Sequence, residues 1–582
     1  MSIILHIGRR HPGVRALYTA IYLVLLLGAV TMVYPFLLMV AGSTKSGVDL
    51  KDFSAIPRYL RDDAVLYRKY VEGFFNESLD AMNTAYDSDV PTFEAVMPPA
   101  EGTAPLVAEW RAFLAEQPLP PSYNGCSYIQ CAVSRTLPLQ LREFRRELAA
   151  RYGQKIEQVN RALDCDYAGW NSFFLLPENY LSRLSKPVDT MFSRAFQEFK
   201  NRRSPDEKYY FCAEGYFKKL FLKAQYSKDI AAYNGSHETR YDSYAEVHLS
   251  RAVPPGTPKE RMDWEQFVRN TLNLLWIRAT PEAAPVYRRF LRAKYGDVDV
   301  LNRNYGTRYE SFDAVPLVNE PPPGGLPLSD WDAVISGWKD PDSGELHAIP
   351  VDLLRIHSVE FLFRDYLAKK YGSPAAANEA LGTSYTDWIE VYPPQRESHY
   401  ADFLGKRRAL KWEFTTRNYV AVWDYMVLHG RGIVNTVIYC SLAVLFALLV
   451  NPLAAYAMSR YRMPSNYKIL LFLMLTMAFP PMVTQIPVFL MLREFHLLNT
   501  FAALLLPGLA NGYSIFLLKG FFDSLPRELY ESAQLDGAGE WTLFWSITMS
   551  LSTPILSVIA LQAFVSAYAN FMFALLICQD EQ

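Results

Sequence analysis

Three sets of residues along the 582-residue chain are of types that could do chemistry. The first is acidic. Glu214, Glu238 and Asp263 lie in a stretch rich in Tyr and Trp, and cleaving a sugar bond needs two carboxyl groups held a fixed distance apart. The sequence pairs no two of them, so catalysis is not expected there. The second set is Cys126, Cys131, Cys165 and Cys212. Cys126 and Cys131 lack a matching His or Cys pair at zinc-ligand spacing, so no metal is expected. The third is the phrase from Ser524 to Pro554, whose chemistry is mechanical. Pro526 stands where a helix begins without losing a hydrogen bond, and Glu528 and Glu531 place negative charge near the positive helix end. Gly537 then stops it. The expectation is a short amphipathic helix showing Leu529, Tyr530 and Ala533, a tight Asp536-Gly537 turn, and a second helix, a piece shaped to dock into something. No Gly-x-x-x-x-Gly-Lys-Ser/Thr loop occurs, so the chain is not expected to hydrolyse ATP and binds no cofactor of its own.

The elements that must position these residues are of two kinds. A net charge of -2 and the lack of a long basic run exclude nucleic acid as a partner. Apolar residues concentrate at the ends, and the stretch between carries most of the charge and proline. Residues 16–40 are uncharged and long enough to cross a bilayer of about 30 Å. Arg9, Arg10 and Arg15 with the small Ala41, Gly42 and Ser43 also resemble a signal peptide, but its apolar core is usually about 7 to 15 residues, so a retained anchor is expected. Further apolar segments at 433–458, 469–491, 501–518 and 547–577 give four more crossings. Arg460, Arg462, Lys468, Lys519 and Arg527 then fall on the same side as the N-terminal arginines. That side is the cytoplasm by the positive-inside rule. Residues 1–45 thus hold the cytoplasmic N-terminus and first span, 46–430 an extracytoplasmic insertion, and 431–582 the membrane core with a cytoplasmic loop at 524–546.

Within the membrane core, Pro480 and Pro481 break the third span. Their freed carbonyl groups, with Gln485, are weighed as pathway lining against a plain packing kink, and packing is favoured. Asn451 reads as an interhelical hydrogen bonder rather than a substrate ligand. Cys440 and Cys578 read as small apolar residues. The other four cysteines lie outside, where disulfides are permitted; two bridges are expected, and the three pairings stay open.

The insertion contains a repeated plan at about 141–175, 287–317 and 361–394. Apolar residues at helical spacing lead to Tyr152-Gly153, Tyr295-Gly296 or Tyr371-Gly372, then a second short helix with Asn160, Asn302 or Asn378, then a segment carrying Tyr167, Tyr309 or Tyr385. The spacing, about 143 and then about 76 residues, argues against a regular solenoid. An α-rich domain with some strand is expected, in which the repeats are structural.

The Ser524–Pro554 segment resembles the coupling loop of ABC importer permeases, Glu-Ala-Ala, two or three residues, Asp-Gly-Ala and a later proline. Glu531, Ala533, Asp536, Gly537, Ala538 and Pro554 match, and Ser532 replaces the first alanine. Asn435-Thr436, Ala454 to Arg460, Met463-Pro464, Gln485-Ile486-Pro487, Leu498-Asn499-Thr500 and Phe521-Phe522 are similar, in order, to the carbohydrate permeases of that family. The resemblance covers about 14–48 and 415–577. It implies an α-helical polytopic membrane protein, a type I ABC importer permease bundle, with an inserted α-rich α+β extracytoplasmic domain. By implication the chain translocates a sugar or oligosaccharide by alternating access, powered by ATP used in two copies of a separate ATPase subunit. A second homologous permease subunit and an extracytoplasmic substrate-binding protein are also implied, in the inner membrane. The family ordinarily has six helices and a shorter first outer loop, whereas this chain ends after its fifth span, from truncation or loss of the last helix. The repeats also look weakly like segments of β-galactosidase-type glycoside hydrolases. The alternative is therefore a permease fused to a glycoside-hydrolase-like or glycan-binding domain.

Overall fold

The computed structural model describes residues 11–99, 104–126, 139–167, 169–170, 180–183, 190–318, 320–423, 426, 431–461, 463–476 and 481–578. It divides into two units, Met1–Val420 and Ala421–Gln582.

The N-terminal unit begins with the apolar Pro12–Gly42 helix, whose start is set by proline in its first turn and by the His11 ring accepting the Gly13 N–H. Its 31 residues reach about 46 Å, and nearly all are exposed, as a membrane-crossing helix requires. The rest of the unit is built from one plan used five times. Each copy has a helix, then an eight-residue helix: Leu79–Tyr86, Ile156–Leu163, Ile230–His237, Val298–Tyr305 and Pro374–Leu381. Asn83, Asn160, Asn234, Asn302 or Asn378 sits four residues before a left-handed cap, which is Asp87, Asp164, Glu238, Gly306 or Gly382. The asparagine carboxamide clamps the chain seven residues on. In the fourth copy Asn302 donates to the Tyr309 carbonyl at 2.9 Å and accepts the Tyr309 N–H at 2.8 Å and the Thr307 hydroxyl at 3.0 Å. The other four make the same two-way clamp to Val90, Tyr167, Tyr241 and Tyr385. Ten residues after the asparagine comes an aromatic ring, Phe93, Trp170, Tyr244, Phe312 or Trp388.

The expected irregular spacing is therefore corrected. A copy at Asn234 fills the long gap and one at Asn83 precedes the first, and the period runs between 68 and 77 residues. After the clamp a third helix follows: Ala104–Glu116, Met191–Asn201, Pro258–Gln266, Gly325–Ser336 and Gln395–Trp423. The short strands between copies pair antiparallel, Asn124–Gly125 with Tyr209–Tyr210 and Ile277–Ala279 with Leu354–Ile356.

An acid on the third helix ties down the helical hairpin. Asp330 accepts the hydroxyls of Tyr295 at 2.6 Å and Tyr305 at 2.7 Å within its own copy, and Asp263 accepts Tyr226 at 2.6 Å. The first and last copies exchange these helices. Glu109 of the first accepts Lys370 at 2.6 Å and Tyr371 at 3.0 Å of the last, and Asp402 of the last accepts Tyr70 of the first at 3.1 Å. The chain thus enters and leaves the unit side by side. Ser43, just after the first helix, meets the Tyr419 hydroxyl at 2.6 Å and accepts the Asn418 amide on its carbonyl at 2.6 Å.

In the C-terminal unit the Gly432–Arg460 helix packs against Gly512–Asp523 and Thr553–Tyr568. The expected third span is two helices, Asn466–Thr476 and Pro481–Glu494; the fourth is Phe501–Gly508 and Gly512–Asp523, bent by 50°. The expected fifth, 547–577, begins earlier and breaks more sharply: Glu540–Met549 turns by 83° into Thr553–Tyr568, and Phe571–Ile577 follows separately. Among the described residues two helices are long and apolar enough to cross a membrane alone, and four if each bent pair is one span. Gly512 permits one close crossing, since a Cβ there would stand 2.6 Å from the Leu473 carbonyl oxygen.

Candidate coupling site

The Arg527–Leu535 helix starts after Pro526 and carries Glu528 in its first turn. It ends as Gly537 was expected to end it. Gly537 has φ 83°, and the Ala538 N–H reaches back to the Ala533 carbonyl at 2.9 Å while Gly537 N–H bonds Gln534 at 3.0 Å. The next helix opens at Glu540, and Pro554 lies in the first turn of Thr553–Tyr568.

The helix is seated by a face the sequence reading assigned wrongly. Tyr530 was expected outward with Leu529 and Ala533; it is 6 % exposed, and Ala533 is half-buried. The Tyr530 hydroxyl meets Thr548 Oγ1 at 2.8 Å, and its ring lies 3.7 Å from the Arg460 guanidinium carbon, a desolvated cation–π contact. Arg460 also donates to the Phe522 carbonyl at 2.8 Å, Tyr456 donates to Glu540 at 3.2 Å, and Ser459 donates to Asp523 at 2.7 Å. The end of the Gly432–Arg460 helix is thus the floor on which the short helix and its turn rest. Sequence reasoning missed this role, although Tyr456, Ser459 and Arg460 recur at the three- and four-residue intervals that share one helix face. With Tyr530 inward, the free face presents Leu529, Leu535 and Trp541, with Glu528, Glu531 and Asp536 exposed beside them. Leu535 is 90 % exposed. An apolar ridge flanked by carboxylates on a rigid base can transmit a push; it offers no acid–base pair.

The other expected residues are placed as follows. Asn451 is buried, donates to Ala447 at 3.0 Å within its helix, and accepts the Asn511 N–H at 2.9 Å, which joins two helices as expected. Pro481 opens its helix and Gln485 is half-buried within it, while Pro480 lies outside the described residues. The expected pair of disulfides is corrected. Cys165 and Cys212 are free thiols, and Cys131 lies outside the described residues. Cys212 is buried against the Tyr210 carbonyl and Gln395, whereas Cys126 and Cys165 belong to a small separate core around Phe144 and Phe196. Spacing in sequence carries no sign of that partition.

The three acids do not form a cleft. Glu238 is an exposed helix cap, and Asp263 is held by Tyr226, Gln225 and His237. Glu214 accepts His248 at 2.9 Å and Arg364 at 2.8 Å, with Lys218 3.2 Å away. Burial alone would raise its carboxyl, but the His248 hydrogen bond and the Lys218 and Arg364 charges overcome that and hold it at about 2.

Residues 444–581 match the family described as the binding-protein-dependent transport system inner membrane component. A probable ABC transporter permease of Pyrococcus horikoshii is 32 % identical over 171 residues, 29 % of this chain and 62 % of that protein. A trehalose/maltose transport system permease of Thermococcus litoralis is 33 % identical over 183 residues, 31 % of this chain and 66 % of its own length. A diacetylchitobiose uptake permease of Streptomyces coelicolor is 29 % identical over 172 residues, 29 % and 56 % respectively. The chain spans roughly three-fifths of the length of these curated relatives. The helix, turn and floor described above lie inside the matched residues, so the C-terminal unit carries the segment that is similar to the inner membrane component of binding-protein-dependent transport systems.

Proposed function

We propose that the chain is a transmembrane subunit of an ABC importer that translocates a sugar or oligosaccharide by alternating access. One observation carries the reading: the Arg527–Leu535 helix is locked to its own bundle through Tyr530, Arg460 and Thr548 while Leu529, Leu535 and Trp541 face outward. A helix so seated moves as one body with the bundle, and a groove closing on its free ridge tilts the helices behind it. The groove belongs to a separate ATPase subunit, present in two copies. A second permease subunit completes the pathway, and a substrate-binding protein delivers the solute from outside. Relatives named for trehalose/maltose, diacetylchitobiose and melibiose/raffinose/stachyose support a carbohydrate cargo. Membrane lipid surrounds the spans, the N-terminus is cytoplasmic, and residues 46–430 are extracytoplasmic.

Gly537→Leu forces a branched side chain into positive φ, and Glu531→Lys reverses a ridge charge. In proteoliposomes holding the whole transporter, both variants are expected to insert normally and to hydrolyse ATP without solute uptake. Uptake at the unaltered rate in both would contradict the proposal.

A further inference from the structure

The loop that follows the first helix is inside out. Thr44 and Asp49 are buried, whereas Leu50, Phe53 and Ile56 are exposed, Phe53 to 78 %. The polar side is locked onto the Asp63–Phe74 helix. Lys69, itself buried, donates to Asp49 at 3.0 Å and to the Ser46 hydroxyl at 2.9 Å, and Glu72 accepts the Val48 N–H at 3.1 Å. Gly47 lies so close to that helix that a Cβ would stand 2.6 Å from the Glu72 carboxylate. Within the loop, Lys45 donates to the Asp52 carbonyl and Ser54 to the Ile56 carbonyl, the latter at 2.8 Å. The three apolar side chains are therefore held outward by a fixed backbone, an arrangement that water disfavours.

The loop also folds back along the first helix. The Tyr34 hydroxyl donates to the Phe53 carbonyl at 3.4 Å, and Tyr34 stands nine residues, about 13 Å, before Ser43. A hydrocarbon layer of about 30 Å takes about 20 helical residues, and counted from Arg15, the last charge before the apolar run, it ends near Pro35. Burial agrees with that limit: residues 15–40 are exposed or half-buried, and Ala41 is the first that the unit covers. Tyr34 thus lies at the boundary between acyl chains and headgroups, a depth that tyrosine favours, and its bond brings Phe53 to the same depth. We infer that the Leu50–Ile56 loop is immersed in the headgroup–acyl boundary of the phospholipid bilayer, so that the N-terminal unit is seated on the membrane rather than held clear of it. The inference rests on the reading of Pro12–Gly42 as a membrane span and not on the cargo or the coupling helix.

The test uses the full chain, its six native cysteines replaced, in phosphatidylcholine liposomes. A single environment-sensitive fluorophore is attached at Phe53→Cys, at Val24→Cys near the middle of the span, or at Ser343→Cys, an exposed turn of the N-terminal unit. Each is quenched in turn by aqueous iodide, by lipid carrying a nitroxide near the headgroup and by lipid carrying it at the end of the acyl chain. The Phe53→Cys probe is expected to lose more emission to the shallow nitroxide than to the deep one, and less to iodide than the Ser343→Cys probe does. Val24→Cys should lose most to the deep nitroxide. Iodide quenching at Phe53→Cys as strong as at Ser343→Cys overturns the inference while the Val24→Cys result leaves the span standing. A Phe53→Cys probe that no quencher reaches overturns it as well, since protein and not lipid would then cover the loop. Loss of nitroxide quenching at Val24→Cys would end the span reading and the inference together.

Discussion

His399 shows how a single buried group sets a condition on the whole N-terminal unit. Its Nε2 bonds the Lys208 carbonyl at 2.8 Å and its Nδ1 meets the Tyr86 hydroxyl at 2.7 Å, so the neutral ring is satisfied on both sides with Nε2 donating and Nδ1 accepting. Burial lowers its pKa to about 4, against the smaller opposing pull of the Lys208 carbonyl. A folded-state value below the unfolded one of about 6.5 means that the unfolded chain takes up the extra proton. The stability tied to it is complete above about pH 6.5 and is lost as pH falls toward about 4, roughly 3 kcal/mol over that window. His399→Gln, which retains a donor for the Lys208 carbonyl, should flatten this slope, and denaturant unfolding followed by tryptophan fluorescence at pH 7, 5.5 and 4 measures it. Equal slopes with and without the ring would remove His399 from the account. Sequence reading had no means to single this residue out, because its partners come from positions about 190 and 310 residues away.

At the scale of elements, the clamp after each eight-residue helix keeps five hairpins in one geometry. Asn302→Ala removes both directions of the clamp and the Thr307 bond, and should cost about 1 to 2 kcal/mol, since the half-buried groups of its partners lose their bonds as well. Asn302→Asp keeps the acceptor and loses only the donor to the Tyr309 carbonyl, so its effect should be smaller. Thermal unfolding of the two variants gives the order; an aspartate variant weaker than the alanine one would show that the clamp is not what matters. The same clamp explains what the sequence revealed and what it hid. Three copies were legible because a Tyr-Gly ends the first helix and, in two of them, Gly306 or Gly382 takes the left-handed cap. The copies at Asn83 and Asn234 were invisible by that signal. Asp87 and Glu238 fill their caps, and in the third copy the first helix opens into a wide turn over Phe217–Leu222. The signal common to all five is asparagine followed ten residues later by an aromatic ring. In the C-terminal unit hydropathy located the apolar segments but not the 50° and 83° bends, because a window average is blind to Pro507 and to the Thr553-Pro554 helix start. The coupling turn was legible because Gly537 acts locally. The direction of Tyr530 was not, since Arg460 and Thr548 decide it from other helices.

At the scale of the molecule, the exchange of third helices between the first and last copies matters for how a domain can sit inside a membrane chain. Because Glu109 serves the last hairpin and Asp402 the first, the repeat closes on itself and returns the chain to its entry point at Ser43 and Tyr419. A domain closed this way can be inserted between two spans without pulling them apart. The proposed topology then makes a sharp demand on accessibility. In a chain whose six native cysteines are replaced, Ser343→Cys lies on an exposed bend of the N-terminal unit and Ser532→Cys on the exposed side of the coupling helix. On the proposed topology the first is outside and the second inside. A membrane-impermeant maleimide applied to intact spheroplasts should label Ser343→Cys at once and Ser532→Cys only after permeabilisation. The reverse pattern would put the ridge of Leu529, Leu535 and Trp541 where no ATPase can reach it. Labelling of both sites in intact spheroplasts would put the coupling helix outside as well, and either result would end the proposed mechanism.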